Sequence, residues 1–356
     1  LSHRHAVQLR KAIAGALPVF ALTLSSCTSE WTLRTSRPAY ALQWPYPPNP
    51  ARLTLVESLT GLSAEKNAES VLRDIVAGSD PAESNSFLLP VAVATGPDGR
   101  IAVADMGRRA VHVYLPLEHR YERLTGTADV PLVSPVGVAY DDESRLFVSD
   151  STGSVFGFSE RGAVIFVLRS AGPERLLRPT GLAYSPLKKR LYVVDTLAHR
   201  IHVFGTMGDF QFSFGERGDG DGRFNFPTHL FRSETGELYV TDALNFRVQI
   251  FDESGKWLET FGRHGDGSGD LAMPKGIAVD SGGTIYLVDG LFDNVQLFDR
   301  HGGFLLTLGK RGSDFGDFWL PSGAFINKKN ELYVCDTYNR RIQVFRITEG
   351  AANGAL

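Results

Sequence analysis

The chain has 356 residues, 43% of them hydrophobic and 22% charged, with 37 glycines and a formal net charge of −3. This is globular composition with apolar material for a large core, which excludes wholesale disorder. Past residue 24 no apolar run approaches the roughly 18 residues needed to cross a bilayer, and the two cysteines, Cys27 and Cys335, are too few for a disulfide framework.

At the N-terminus Arg4, Arg10 and Lys11 precede the uncharged stretch 12–24, which has the length of a signal-peptide core. Leu24-Ser25-Ser26-Cys27 follows at once and resembles the bacterial lipobox, where small residues let a peptidase cut before a cysteine that carries lipid. A secretory signal with a coincident cysteine is the alternative. The resemblance implies a leader over 1–26, lipidation of Cys27, and residence in the bacterial cell envelope, on the outer membrane facing the periplasm. Several acyl chains at about 0.8 kcal/mol per buried CH₂ anchor irreversibly. Without the leader 34 Lys and Arg face 40 Asp and Glu, a net charge of about −6, the opposite of a nucleic-acid footprint. No nucleic-acid partner is expected.

Residues 27–51, with Trp44-Pro-Tyr-Pro-Pro-Asn-Pro-Ala-Arg52 at their end, read as a proline-rich tether, because proline favours an extended spacer. The segment 52–61 reads as a strand, and 64–77 as a short helix.

An apolar triplet ending in aspartate then recurs six times, at Asp105, Asp150, Asp195, Asp242, Asp289 and Asp336. Each copy follows a proline (Pro90, Pro135, Pro179, Pro227, Pro274, Pro321), a short apolar segment and a polar turn, and precedes two more apolar stretches. Alternation, β-branched residues and tight turns make these strands, and proline fits best as a strand's first residue. Four antiparallel strands per unit make a propeller blade, and packing the blades in a ring protects their edges. The fold class expected is all-β, a six-bladed propeller over 52–346 with a tail at 347–356. The last repeat ends at Phe345 without an outer strand, so 52–61 is expected to supply it and shut the ring.

Pro321-Ser-Gly323, Glu331-Leu-Tyr-Val-Cys-Asp336 and Asn339-Arg-Arg-Ile-Gln-Val-Phe345 resemble the NHL repeat, and the resemblance covers about residues 52–346. It implies a six-bladed propeller, here of the bacterial lipoprotein type. Blade 2 departs most, with a shorter turn after Asp150 and no arginine, and blade 5 has Asn294 where arginine is usual.

The six aspartates are read as structural, since one acid at the same point of every blade suits holding the following turn. Arg200, Arg247 and Arg341 are expected at blade edges or beside acids. The glycine-rich segments 215–222 and 262–270 lack the ligand spacing of a calcium loop and read as inter-blade turns. Cys335, in an apolar strand, reads as a buried inert thiol.

Where the inner strands begin, the second residue after the proline is Ala92, Gly137, Gly181, His229, Gly276 and Gly323, and the first is Val91, Val136, Thr180, Thr228, Lys275 and Ser322. His229 and Lys275 break the pattern, so His229, Lys275, Thr180 and Thr228 are candidate channel or ligand contacts, with a hydrogen-bonded core histidine as the alternative for His229. Related propeller enzymes bind zinc through three inner-strand histidines or use carboxylate and Asn ligands. The zinc pattern finds only His229 here, and three ligands are needed. The expectation is therefore a monomeric binding scaffold for a protein or small ligand, with no catalytic set, cofactor or metal, and with a metal-dependent lyase or lactonase as the alternative.

Overall fold

The computed structural model describes residues 30–64 and 85–348. Strands dominate it, and six sheets stand in a ring. Blades 1 to 5 each have four antiparallel strands in chain order, beginning with inner strands Pro90–Thr95, Pro135–Tyr140, Pro179–Ser185, Pro227–Arg232 and Pro274–Val279. The sixth blade holds Ala324–Ile326, Glu331–Asp336 and Arg341–Ile347. Its outer strand is Leu53–Ala64, antiparallel to Arg341–Ile347 with Ile342 opposite Leu59 and Phe345 opposite Leu55. The expected closure is thus present. The strand runs on to Ala64, where the sequence suggested a helix would begin; 65–77 of that expectation lie outside the described residues, as do Cys27 and the leader.

Part of the presumed tether belongs to the domain. Trp31–Ser36 pairs with Leu53–Ala64 as a further strand, and Gln43–Trp44 pairs with its start. The reason is apolar burial. Trp44 is 5% exposed and packs edge-on against Phe345 at 5.7 Å, while Trp31 packs at a tilt against Tyr121 of blade 1, ring centroids 4.8 Å apart. Trp31 N–H also donates to the His119 carbonyl at 2.7 Å. The N-terminal segment therefore straps blade 6 to blade 1 from outside.

The core lies between blades. Strand residues such as Tyr192, Phe204, Tyr239, Phe251, Tyr286 and Phe298 are almost wholly buried, and such burial contributes about 1.5–3 kcal/mol per large side chain. Toward the axis the inner strands approach each other by their backbones. A side chain on Gly137 would begin 2.2 Å from the Thr180 carbonyl oxygen, and one on Gly276 would begin 2.4 Å from the Ser322 carbonyl oxygen. Glycine at this position is a packing requirement.

The repeated aspartates reach further than their own turns. Each lies opposite, or next to, the proline that starts its blade, and each accepts the N–H two residues before that proline. Asp105 accepts from Leu88 and Leu89, Asp195 from Leu177 and Arg178, Asp289 from Ala272 and Met273. The carboxylate thus joins the entry of the inner strand to the turn after the second strand, and also accepts from that turn, as from Arg108 and Ala198.

Candidate functional site

A cavity of about 640 Å³ opens on the face that carries the turns between first and second strands, and all six inner strands contribute to it. Its wall is mostly apolar, with Leu182, Ile277, Phe231 and Phe325. Phe231 and Phe325, on blades 4 and 6, meet edge to face with ring centroids 6.4 Å apart. Four positions away from the starting prolines the other blades carry Ala94, Ala139, Ala183 and Ala278. Two phenylalanines in a column of alanines was a signal available in the sequence that the comparison of the first two residues missed.

His229 lines this cavity, half-buried, with Nδ1 3.1 Å from the Thr228 hydroxyl. Enclosure by the ring, and secondarily the nearby Lys275 charge, push its pKa down to about 3. At neutral pH it is an uncharged imidazole that offers a hydrogen bond to whatever enters. Thr228 is its immediate partner, so the two stand together.

Thr180 has a different task. Its hydroxyl pairs with Thr196 Oγ1 at 2.9 Å, and Thr196 donates to the Pro227 carbonyl at 2.7 Å, clasping blade 3 to blade 4. Lys275 points away from the cavity. Its Nζ lies 3.1 Å from where a side chain on Gly290 would begin, near the opposite face. Burial lowers its pKa, while Asp289 and Asp293 oppose that effect.

The rim is polar. Asp141 pairs with Arg145 at 2.6 Å, and Asp142 accepts from Tyr184 at 2.8 Å and from Lys189. Glu234, Lys328 and Lys329 are exposed there, without an ion pair among the described residues. Tyr140 also contributes, and burial raises its phenol pKa strongly; its hydroxyl is enclosed without a hydrogen-bond partner among the described residues.

The outer part of each blade explains the remaining repeat residues. Opposite the aspartate stand Ala110, Ser154, Arg200, Arg247, Asn294 and Arg341. Arg247 pairs with Asp242 at 2.8 Å and Arg341 with Asp336 at 2.6 Å, whereas Arg200 turns to Glu174 at 2.9 Å. Gln249, Gln296 and Gln343 each accept from and donate to the preceding inter-blade loop, as with Gly222 N–H and the Arg223 carbonyl for Gln249. The glycine-rich segments are therefore clasped turns, as expected from their spacing. In blades 1 and 3 the glutamine position holds His112 and His202, buried, with Nε2 3.7 Å from Asp105 and Asp195. His199 lies in the turn before this strand and its Nδ1 accepts from Phe226 N–H at 3.2 Å. Burial raises the pKa of Asp105 and Asp195, but histidine and backbone hydrogen bonds outweigh it and hold both below the usual carboxylate value. Cys335 is fully buried, and burial pushes its thiol pKa up. Among the described residues no group of three His, Cys, Asp or Glu side chains is placed to hold a metal ion.

Ring, repeat and central cavity define the class, a six-bladed β-propeller with NHL character. Residues 230–295 match the family described as a 6-bladed beta-propeller, and residues 318–345 match the NHL repeat. No curated protein matches the chain in sequence. Among solved structures it is similar to virginiamycin B lyase from Staphylococcus aureus, at 10% identity and TM-score 0.56, over 74% of this chain and 97% of that one. An auxiliary nutrient binding protein from Bacteroides thetaiotaomicron aligns at 11% identity and TM-score 0.55, over 73% and 69%. Hydrazine synthase of Kuenenia stuttgartiensis aligns at 17% identity and TM-score 0.54, over 73% and 77%. Identities this low speak for the fold alone.

Proposed function

We propose that this propeller is a binding scaffold, held at the cell-envelope membrane by lipid on Cys27, that receives a small ligand or a partner's side chain in its central cavity. The observation that carries the reading is the cavity itself. Ligand sites combine an apolar wall with a few placed polar groups, and here Phe231 and Phe325 stand beside a neutral His229, below a rim carrying Glu234, Lys328 and Lys329. The anchor rests on Leu24-Ser25-Ser26-Cys27 following the apolar core of the leader.

Affinity capture from the native membrane tests the scaffold. A partner or ligand retained by the wild type and lost by Phe231→Ala/Phe325→Ala supports the cavity, whereas retention by both removes it. A stoichiometric divalent metal in the purified protein would instead favour the enzyme reading. For the anchor, Cys27→Ala is expected to abolish incorporation of labelled fatty acid, and continued labelling would sink it.

A further inference from the structure

Four of the six buried aspartates have a histidine or arginine nitrogen within 3.7 Å: His112 and His202 in blades 1 and 3, Arg247 and Arg341 in blades 4 and 6. In blade 5 the Lys275 charge acts on Asp289 without a direct pair, and in blade 2 Asp150 has neither among the described residues. Asp150 of blade 2 is 1% exposed and accepts from Val133 N–H, Ser134 N–H, Thr152 N–H and the Thr152 hydroxyl, with no ion pair among the described residues. Where blades 3, 4 and 6 have arginine opposite the aspartate, and every other blade has glutamine or histidine two residues on, blade 2 has Ser154 and Phe156. Neither carries the guanidinium or amide that clasps the inter-blade loop in blades 4 and 6. The space that they leave is a second cavity, of about 530 Å³, on the face opposite the central one.

Its walls are oppositely charged. Blade 2 and its preceding loop bring Asp150, Ser154 and Asp129, while the hairpin that leads into blade 3 brings Arg169 and Arg175, both exposed and without an ion pair among the described residues. Blades 4 and 6 exhibit what fits the acidic wall. Arg247 donates to Asp242 and, through Nη2, to the Gly220 and Arg223 carbonyls at 2.8 and 3.0 Å; Arg341 does the same to Asp336 and to the Asp314 and Asp317 carbonyls. The planar fork of a guanidinium suits a carboxylate flanked by carbonyls.

We propose that the blade 2 cavity binds an arginine-type ligand, its guanidinium taking the place of the missing blade arginine beside Asp150 and its carboxylate meeting Arg169 and Arg175. Free arginine and the C-terminal arginine of a peptide share this chemistry. The site is independent of the central cavity and of the scaffold reading above.

Calorimetric titration of the intact protein with L-arginine, agmatine, L-citrulline and Gly-Gly-Arg tests it. L-arginine is expected to bind saturably, agmatine at least tenfold more weakly for want of a carboxylate, and citrulline not at all. Gly-Gly-Arg binding as tightly as arginine assigns a peptide terminus as the natural ligand, and weaker binding assigns the free amino acid. Asp150→Asn should abolish binding, but its aspartate also holds the fold together. Ser154→Arg is therefore the second variant, since it supplies an internal guanidinium at the position of Arg247, and it is expected to fold, to melt no lower than wild type and to bind no arginine. No saturable binding by the wild type, equal affinity for agmatine or citrulline, or unchanged binding by Ser154→Arg overturns the proposal.

Discussion

The Thr337 hydroxyl donates to the Pro90 carbonyl at 2.8 Å, joining residues 247 positions apart across the seam where the last blade meets the first. Ser322 stands 2.7 Å from the same hydroxyl and itself reaches the Val91 carbonyl. The arrangement repeats the clasp that Thr180 and Thr196 make between blades 3 and 4. At the seam the two strands so joined are far apart in sequence, so noncovalent contacts must do what chain continuity does elsewhere. Thr337→Val keeps the shape and leaves buried acceptors unpaired, a change that costs about 1–3 kcal/mol. The variant is expected to melt a few degrees lower, with faster amide exchange concentrated at Pro90–Thr95 and Ala324–Ile326. Uniform exchange with an unchanged melting point would show that the bond adds nothing to closure.

The outer seam depends on the strand Leu53–Ala64. Removing the chain up to residue 64 strips the edge of Arg341–Ile347 and uncovers Phe345 and Ile342, both 0% exposed. An uncovered apolar edge strand is a template for association. The truncated protein is expected to aggregate, or to unfold at markedly lower urea concentration, in light scattering and denaturation. A truncated chain that stays monodisperse and melts like the full domain would contradict the closure.

The architecture was legible in the sequence because a propeller repeats its chemistry. Six prolines and six aspartates at nearly even spacing, and a last repeat short of one strand, left little freedom in topology. What was less legible were the exceptions, since their meaning lies in pairs of residues that are distant in sequence. Lys275 stood out as an odd residue near the axis, yet its purpose becomes visible only when its Nζ is found near Gly290 and Asp289, in the blade whose arginine is replaced by Asn294. The strand Trp31–Ser36 escaped because a proline-rich neighbour masks a segment that docks by two tryptophans. The Phe231 and Phe325 pair was readable as a column, but only four residues into the strand.

That compensation in blade 5 can be tested directly. Lys275→Met leaves Asp289 buried with backbone donors alone. Because Lys275 is half-buried and acts on Asp289 without a direct ion pair, the loss is expected to be small, about 0.5–1 kcal/mol after screening. Adding Asn294→Arg restores the arrangement of blades 4 and 6 and also replaces an amide whose buried Oδ1 lacks a partner among the described residues. The double variant is expected to regain the lost stability in urea denaturation. If Asn294→Arg stabilises wild type and the Lys275→Met variant equally, the two positions do not share a task.

The acid side of the stability curve isolates His229. Its folded pKa of about 3 lies below the ordinary value of 6.5, so between these limits the unfolded chain binds a proton that the folded chain refuses. Stability then rises with pH across that window and falls as the solution is acidified from near 6.5 toward 3. Asp105 and Asp195, held below the usual carboxylate value, act in the same direction, but only where unfolded carboxylates titrate, near pH 4. The interval from pH 7 to 5 therefore reports mainly on histidine. His229→Gln keeps a hydrogen-bonding side chain beside Thr228 and removes the titration. Its melting temperature is expected to decline less steeply than the wild type's from near pH 6.5 down to about pH 3, and the two slopes converge only below that. Identical slopes between pH 7 and 5 would mean that His229 takes up its proton in the folded ring as readily as in the unfolded chain, and that the cavity admits a charged imidazole.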